Sequence, residues 1–410
     1  MIAKRPRAKR VKAPDTGPFA LGMLRPARVV EPRDARELAE VLRAASDAGD
    51  AVVLHGGGTL QAAANPPARY DLAISTLRLD ALFDYDPRDL TAGVGAGTTV
   101  AQLQRTLAEH AQFLPLDAPL AAQATVGGTL AAGWAGPRRA AYGRPRDLLI
   151  GVTVALADGT LATSGGMVVK NVTGYDMGKL YVGSHGTLAA VVRANFKVLP
   201  APATRRLAIA PLDEDVRDRA VAHAAALELE PAALLVVDGF REAPPPAEPR
   251  LIVLLEGSEH VVERATRELR SSLGAAGVAQ TRLLDRDDAA RAFQSLLDAY
   301  VARTGEATVT LLARGLPSEA ALRAQRVRAA IPRAETIADL RTGDVVVRIA
   351  EGDAQHVREL LGGATVLSAG PVSHVDAWGA PPSTLATMRA LKKGFDPRGT
   401  LAPGRFVGGI

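Results

Sequence analysis

The 410-residue chain is longer than one ordinary hydrophobic core supports, and its 47% hydrophobic composition supplies apolar side chains for two folded domains. It has no cysteine, which excludes disulfides, cysteine-based zinc sites and iron–sulfur ligation within the chain. The formal net charge of +5 invites a nucleic-acid reading, but much of the excess lies in Lys4, Arg5, Arg7, Lys9, Arg10 and Lys12, a proline-interrupted arm expected to be solvated. Aromatic residues make up only 4% and nowhere alternate with basic ones as stacking platforms would, so nucleic acid is not an expected partner. No apolar run is long enough for a membrane span and no signal-peptide core is present. The expectation is a cytoplasmic protein without direct membrane insertion, for which membrane association would have to come through partners.

In chain order, Asp34 with Glu37 three residues on reads as a capping box, opening a helix whose Leu38, Val41 and Leu42 share a face and which stops at Gly49. An apolar strand at 51–54 runs directly into His55-Gly56-Gly57-Gly58-Thr59. Further strands are predicted near 72–79 and 90–94, with a helix over 100–111. Strands at 149–156 and 161–164 flank Asp158-Gly159, which reads as a two-residue type I′ hairpin. From about residue 206, strand-like runs (207–210, 234–237, 251–255, 308–312, 345–349) alternate with amphipathic helices (215–227, 259–273, 287–301, 319–330, 354–361). That order suggests ferredoxin-like units around one antiparallel sheet, with the Pro-rich 243–249 as a surface loop. A last helix spans 383–393, and no short-period sequence repeat stands out.

Three glycine clusters carry the chemistry. The loop Gly56-Gly57-Gly58 after a strand can adopt positive φ and turn successive amides inward as an anion site, or it can be a tight turn. GxGxxG and GxxxxGK[ST] are both absent. The second cluster runs from Thr125 through Gly127, Gly128, Thr129 and Gly133 to Gly136-Pro137-Arg138-Arg139. Its small residues let backbone approach a planar ligand, or let a helix approach a sheet. The third is Gly183-Ser184-His185-Gly186-Thr187-Leu188, preceded by Lys170-Asn171-Val172-Thr173-Gly174-Tyr175-Asp176.

In this order the motifs resemble the FAD-binding domain of the p-cresol methylhydroxylase/vanillyl-alcohol oxidase type (PCMH type). Residues 131–147 and the ending Phe395-Asp396-Pro397-Arg398-Gly399 with Leu401-Ala402-Pro403-Gly404-Arg405 look like the narrower signature of glycolate oxidase E subunits. The likeness covers about residues 28–200 and the final thirty or so. It implies an α+β protein: a two-part PCMH-type FAD-binding domain (25–205) after a basic tail (1–24), an α+β ferredoxin-like second domain (206–380), and a C-terminal segment (381–410) returning to the FAD domain.

The resemblance further implies that the amides of Gly56, Gly57, Gly58 and Thr59 hold the FAD pyrophosphate. It puts Thr125, Gly127, Gly128, Thr129 and Gly133 along the ADP and flavin path, with Gly186 and the Val191 backbone near the pyrimidine edge. FAD is implied to be non-covalent, because Thr59 stands where covalent relatives carry a histidine. His55 takes a place often held by arginine, and Ala402 replaces a common asparagine. The implied function is an electron-transferring subunit of a complex oxidising glycolate to glyoxylate. Its partners would be a catalytic D-type flavoprotein subunit and an iron–sulfur F-type subunit.

Hydride transfer from a 2-hydroxy acid to flavin needs a base for the hydroxyl proton and a cation for the carboxylate. No GHxGDGNxH-like segment is present, and His223, His260 and His356 sit singly in predicted helices. His374 is the one candidate base, and Arg138 and Arg139 are candidate cations that a structural ion pair would equally explain. No metal site is expected. Two other readings stay open: a self-sufficient 2-hydroxy-acid dehydrogenase, and a scaffold subunit that has lost FAD.

Overall fold

The helix Ala35–Ala48 is capped by Asp34, whose carboxylate accepts the Arg36 and Glu37 amides at 2.9 Å each, and it ends on Gly49 at φ +74°. Glu37 does not close the box on Asp34. Its carboxylate takes the Arg33 amide at 2.9 Å and the Arg33 guanidinium at 3.2 Å, two donors on one oxygen with a charge to match. The computed structural model describes residues 16–168, 174–228, 230–241, 249–302, 305, 307–370 and 373–410. The basic tail residues 4–12, the stretch from Lys170 to Thr173 and most of the Pro-rich loop lie outside the described residues.

The buried face of this first helix, Leu38, Leu42 and Ala45, rests on a parallel sheet ordered Arg28–Val30, Leu72–Ser75, Val52–His55. The free edge of Val52–His55 is taken by the far end of the chain: Val52 donates to the Thr400 carbonyl at 2.8 Å and Ala402 donates to that of Val52 at 2.7 Å. The helix Leu385–Phe395 anchors the returning segment. Lys392 reaches the carbonyls of Thr187 and Leu401, and Asp396 accepts the amides of Thr400 and Leu401.

A five-stranded antiparallel sheet follows, ordered Leu82–Asp86, Thr91–Gly95, Ala190–Lys197, Leu149–Ala155, Leu161–Gly165. Its last hairpin departs from the two-residue type I′ reading. Only Gly159 has positive φ (+80°), and its amide donates to Leu156 while Leu156 donates to Thr160. That is a three-residue connection closed by a left-handed glycine, which spares Asp158 from a strained conformation.

The second half forms one eight-stranded antiparallel sheet, in the order Arg282–Asp285, Thr204–Pro211, Arg250–Gly257, Ala233–Asp238, Glu335–Asp339, Val345–Ala350, Thr308–Ala313, Thr365–Ala369. Chain order resolves it into two ferredoxin-like units, each running strand, helix, strand, strand, helix, strand, joined edge to edge through Ala233–Asp238 and Glu335–Asp339. The repeat is one of structure, invisible as sequence similarity. Alternate residues face opposite cores: Ala208, Leu234 and Val236 meet one, while Leu207, Leu235 and Val237 meet the other. Burial on both faces explains why these strands read as unbroken apolar runs. The second core is closed by the helix Arg286–Ala299 and by Trp134, contributed from the glycine-rich half of the chain.

Candidate functional site

The three glycine clusters meet around one cleft with about 710 Å³ of empty space, part of it open to solvent. Gly56, Gly57, Gly58, Thr59, Thr125, Gly127, Gly128, Gly186 and Val191 all line it. Of the first loop only Gly58 has positive φ, at +73°. Gly56 and Gly57 are there for proximity: a Cβ on Gly56 would stand 2.2 Å from the Thr125 Oγ1, and one on Gly57 would strike the backbone at Gln123. A Cβ on Gly127 would come within 2.7 Å of the Ala96 Cβ. The glycines therefore press a strand–loop, a short helix (Val126–Ala132) and a third turn together until backbone forms the walls. Leu54, Ala96, Ala131, Ala132 and Ala189 give those walls apolar patches.

The third turn holds His185 at φ +51° between Gly183 and Gly186, both left-handed. It is stitched to the short helix by the His185 and Gly183 amides, which donate to Ala131 and Leu130. The His185 ring lies edge-on to Trp378 and against Phe406, and burial with the charge of Arg405 pushes its pKa down to about 3. His55 is also buried. Its ring Nε2 lies 2.5 Å from the Tyr70 hydroxyl, and burial with Arg405 again pushes its pKa down to about 3. Both imidazoles are neutral at physiological pH.

Residues 26–165 match the family described as FAD binding domain, and residues 378–406 match the C-terminal domain of FAD linked oxidases. The chain is 26% identical over 418 residues to the glycolate oxidase subunit GlcD of Bacillus subtilis (strain 168), covering 93% of this chain and 89% of that protein. The chain is an FAD-linked oxidoreductase. It is also 34% identical over 197 residues to the glycolate oxidase subunit GlcE of Escherichia coli (strain K12), a match spanning 48% of this chain and about half, 53%, of that relative. A crystal structure of p-cresol methylhydroxylase with substrate bound superposes with a TM-score of 0.71 at 17% identity over 93% of this chain and 88% of that one, which establishes a common fold.

The cleft of this flavoprotein suits FAD: a concave wall of backbone and small side chains for a flat ring system, Thr59 for polar contact, and one buried cation, Arg405. Not every residue named from the sequence reaches it. His55 lines an adjoining cavity that shares Gly57, Gly58, Gln61 and Arg405 with the cleft. Thr129 turns its hydroxyl back to the Thr125 carbonyl at 2.9 Å, so its polar group is used within the helix. Gly133 caps the same helix at φ +62° with the Gly183 Cα 2.8 Å from where its Cβ would be, a packing role outside the cleft lining.

The candidate cations and base are placed elsewhere. Arg138 lies between Asp117 (2.6 Å) and Glu256 (3.5 Å), and Arg139 pairs with Asp344 at 2.7 Å; these side chains bind the glycine-rich half to the eight-stranded sheet. Burial lowers the pKa of Arg138, but the two carboxylates outweigh it and raise the pKa overall, so the guanidinium stays charged. His374 is exposed, with its amide on the Glu351 carboxylate at 2.6 Å, while its neighbours Ser373 and Val375 line the adjoining cavity. His260 and His356 are exposed on helices, and the ring of His223 faces Ser272. Sequence reasoning passed over Arg405 and Gln61, whose positions 344 residues apart carry no local signal of contact. Among the described residues no helix is long and apolar enough to cross a membrane.

Proposed function

We propose that this chain is the FAD-binding, electron-transferring subunit of a glycolate oxidase-like complex, in which a partner subunit carries the base that oxidises the 2-hydroxy acid. The observation that carries the reading is the state of the two histidines nearest the cleft. A useful general base has a pKa near the working pH, whereas His55 and His185 are both depressed to about 3 and occupied by Tyr70 and by Trp378 and Phe406. In this reading the amides of Gly56 to Thr59 would hold the diphosphate, and Thr125, Gly127, Gly128, Gly186 and Val191 would line the rest of the cofactor's path. FAD, held non-covalently, supplies a two-electron acceptor. The fitting partners are a catalytic D-type flavoprotein and an iron–sulfur F-type subunit, the latter because this chain has no cysteine of its own.

The test is an absorption spectrum of the purified chain, before and after acid precipitation and with glycolate added anaerobically. Flavin that is released into the supernatant and left unbleached by glycolate supports the accessory role. The likeness to GlcD along nearly the whole chain favours a second reading, a self-sufficient 2-hydroxy-acid dehydrogenase. Rapid bleaching by glycolate or D-lactate would replace the first reading with that one.

A further inference from the structure

We infer that Arg405 is the counter-charge for the diphosphate of FAD, carried to the glycine loop by the returning C-terminal segment. The inference rests on the cleft being the FAD site. Arg405 is 3% exposed and lines both the cleft and the adjoining cavity, at the junction formed by Gly57, Gly58 and Gln61. One of its nitrogens donates to the Gln61 carbonyl at 2.9 Å and to the Gln61 Oε1 at 2.8 Å, both neutral acceptors. Among the described residues no carboxylate pairs with it. Arg138 and Arg139, less deeply buried with side chains 11% exposed, pair with two carboxylates and one respectively.

A buried cation without an anion is expensive, and an anionic ligand would offset that cost. Its surroundings add no negative charge: His55 and His185 are neutral, and Tyr70 is a phenol whose pKa burial raises. Burial accordingly lowers the pKa of Arg405 to about 10, still charged at physiological pH. The backbone that presents it is fixed. The Arg405 carbonyl accepts from Asn65 at 3.1 Å and from the Trp378 indole at 2.8 Å, and Ala68 donates to Pro403 at 2.7 Å. Gly404 sits at φ +83°, with Ala68 3.0 Å from where a Cβ would be. Those contacts fix Arg405 in the wall that Gly57 and Gly58 also line, so loop amides and a charge face the same cleft, as diphosphate recognition requires.

The experiment titrates apo-protein with FAD and with riboflavin, which lacks phosphate, following flavin fluorescence for wild type, Arg405→Met and Arg405→Lys. Loss of a charge-assisted contact should weaken FAD binding by roughly ten- to a hundred-fold in Arg405→Met while riboflavin affinity holds. Arg405→Lys, which keeps the charge but not the fork, should show the same selectivity with a smaller loss. Unchanged FAD affinity, or equal loss for both ligands in the Lys variant, overturns the inference. So would glycolate stabilising the wild type but not Arg405→Met while FAD affinity is preserved, because the cation would then belong to a free carboxylate in the adjoining cavity. Wild-type protein that binds no FAD would sink the flavoprotein site itself, a failure distinct from a variant that binds FAD normally.

Discussion

A Cβ on Gly57 would stand 1.7 Å from the carbonyl oxygen of Gln123, so the glycine loop and the segment before the short helix touch backbone to backbone. Gly57→Ala must separate them. We expect a loss of about 2–4 kcal/mol in stability and of bound flavin, read as the flavin-to-protein absorbance ratio of the purified variant. Gly49→Ala, away from the cleft, is the control: nothing lies within 4 Å of its Cβ, and only the φ of +74° is strained. It should cost about 1–2 kcal/mol and leave the flavin ratio near that of wild type.

Arg138 is the cationic centre of a buried pair of carboxylates, Asp117 and Glu256, whose side chains are each 1% exposed. Replacing it with Met leaves buried Asp117 without its cation, while Glu256 keeps Arg205 at 3.0 Å and the Tyr142 hydroxyl at 2.9 Å. Equilibrium unfolding in urea should show a loss of about 3–5 kcal/mol, with the wild-type flavin ratio retained by the folded fraction. Loss of flavin from folded Arg138→Met would instead return this residue to the candidate cations.

Stability should fall on acidification through the two neutral histidines. His55 and His185 have folded pKa values near 3, against 6.5 for the free side chain, so the unfolded chain takes up protons that the folded one refuses. Their contribution is complete above pH 6.5 and is lost as pH falls from there toward 3, at about 1.4 kcal/mol per pH unit for each. His55→Gln should remove about one histidine's share of that slope in urea unfolding of apo-protein between pH 7 and 4.5. A slope identical to wild type would mean that His55 takes up its proton in the folded state as readily as in the unfolded chain.

Ala111, exposed just beyond the helix Val100–Ala108, adopts φ +51°. A side chain there opposes the left-handed backbone that ends the helix, and Ala111→Gly should raise stability by about 1 kcal/mol, seen as a higher Tm. Its distance from the cleft leaves flavin binding as the internal control.

Local pattern made a large part of this protein legible. The helices from 259, 287, 320 and 354 announced themselves through apolar periodicity, and the strands around 207, 234, 251, 308 and 345 through continuous hydrophobic runs. The strands Arg282–Asp285 and Thr365–Ala369 were not readable, because they are short edges of the sheet with mixed polar residues and pair on one side only. The ordered glycine clusters pointed to one ligand site because several close backbone approaches need glycine at fixed places, a requirement written into the residues themselves.

Which polar side chains attend that site was a matter of long-range packing. Arg138 and Arg139 stand near the second cluster in the chain, yet the docking of Trp134 and its neighbours on the eight-stranded sheet commits them to Asp117, Glu256 and Asp344. Arg405 reaches Gln61 because residues 400–402 add to the edge of Val52–His55, and no local periodicity encodes a contact between the two ends of a chain. Glycine and apolar spacing report what a residue's immediate backbone requires. The partner of a buried charge is fixed by whichever opposite or neutral polar group folding brings within about 3 Å of it, where desolvation makes pairing obligatory.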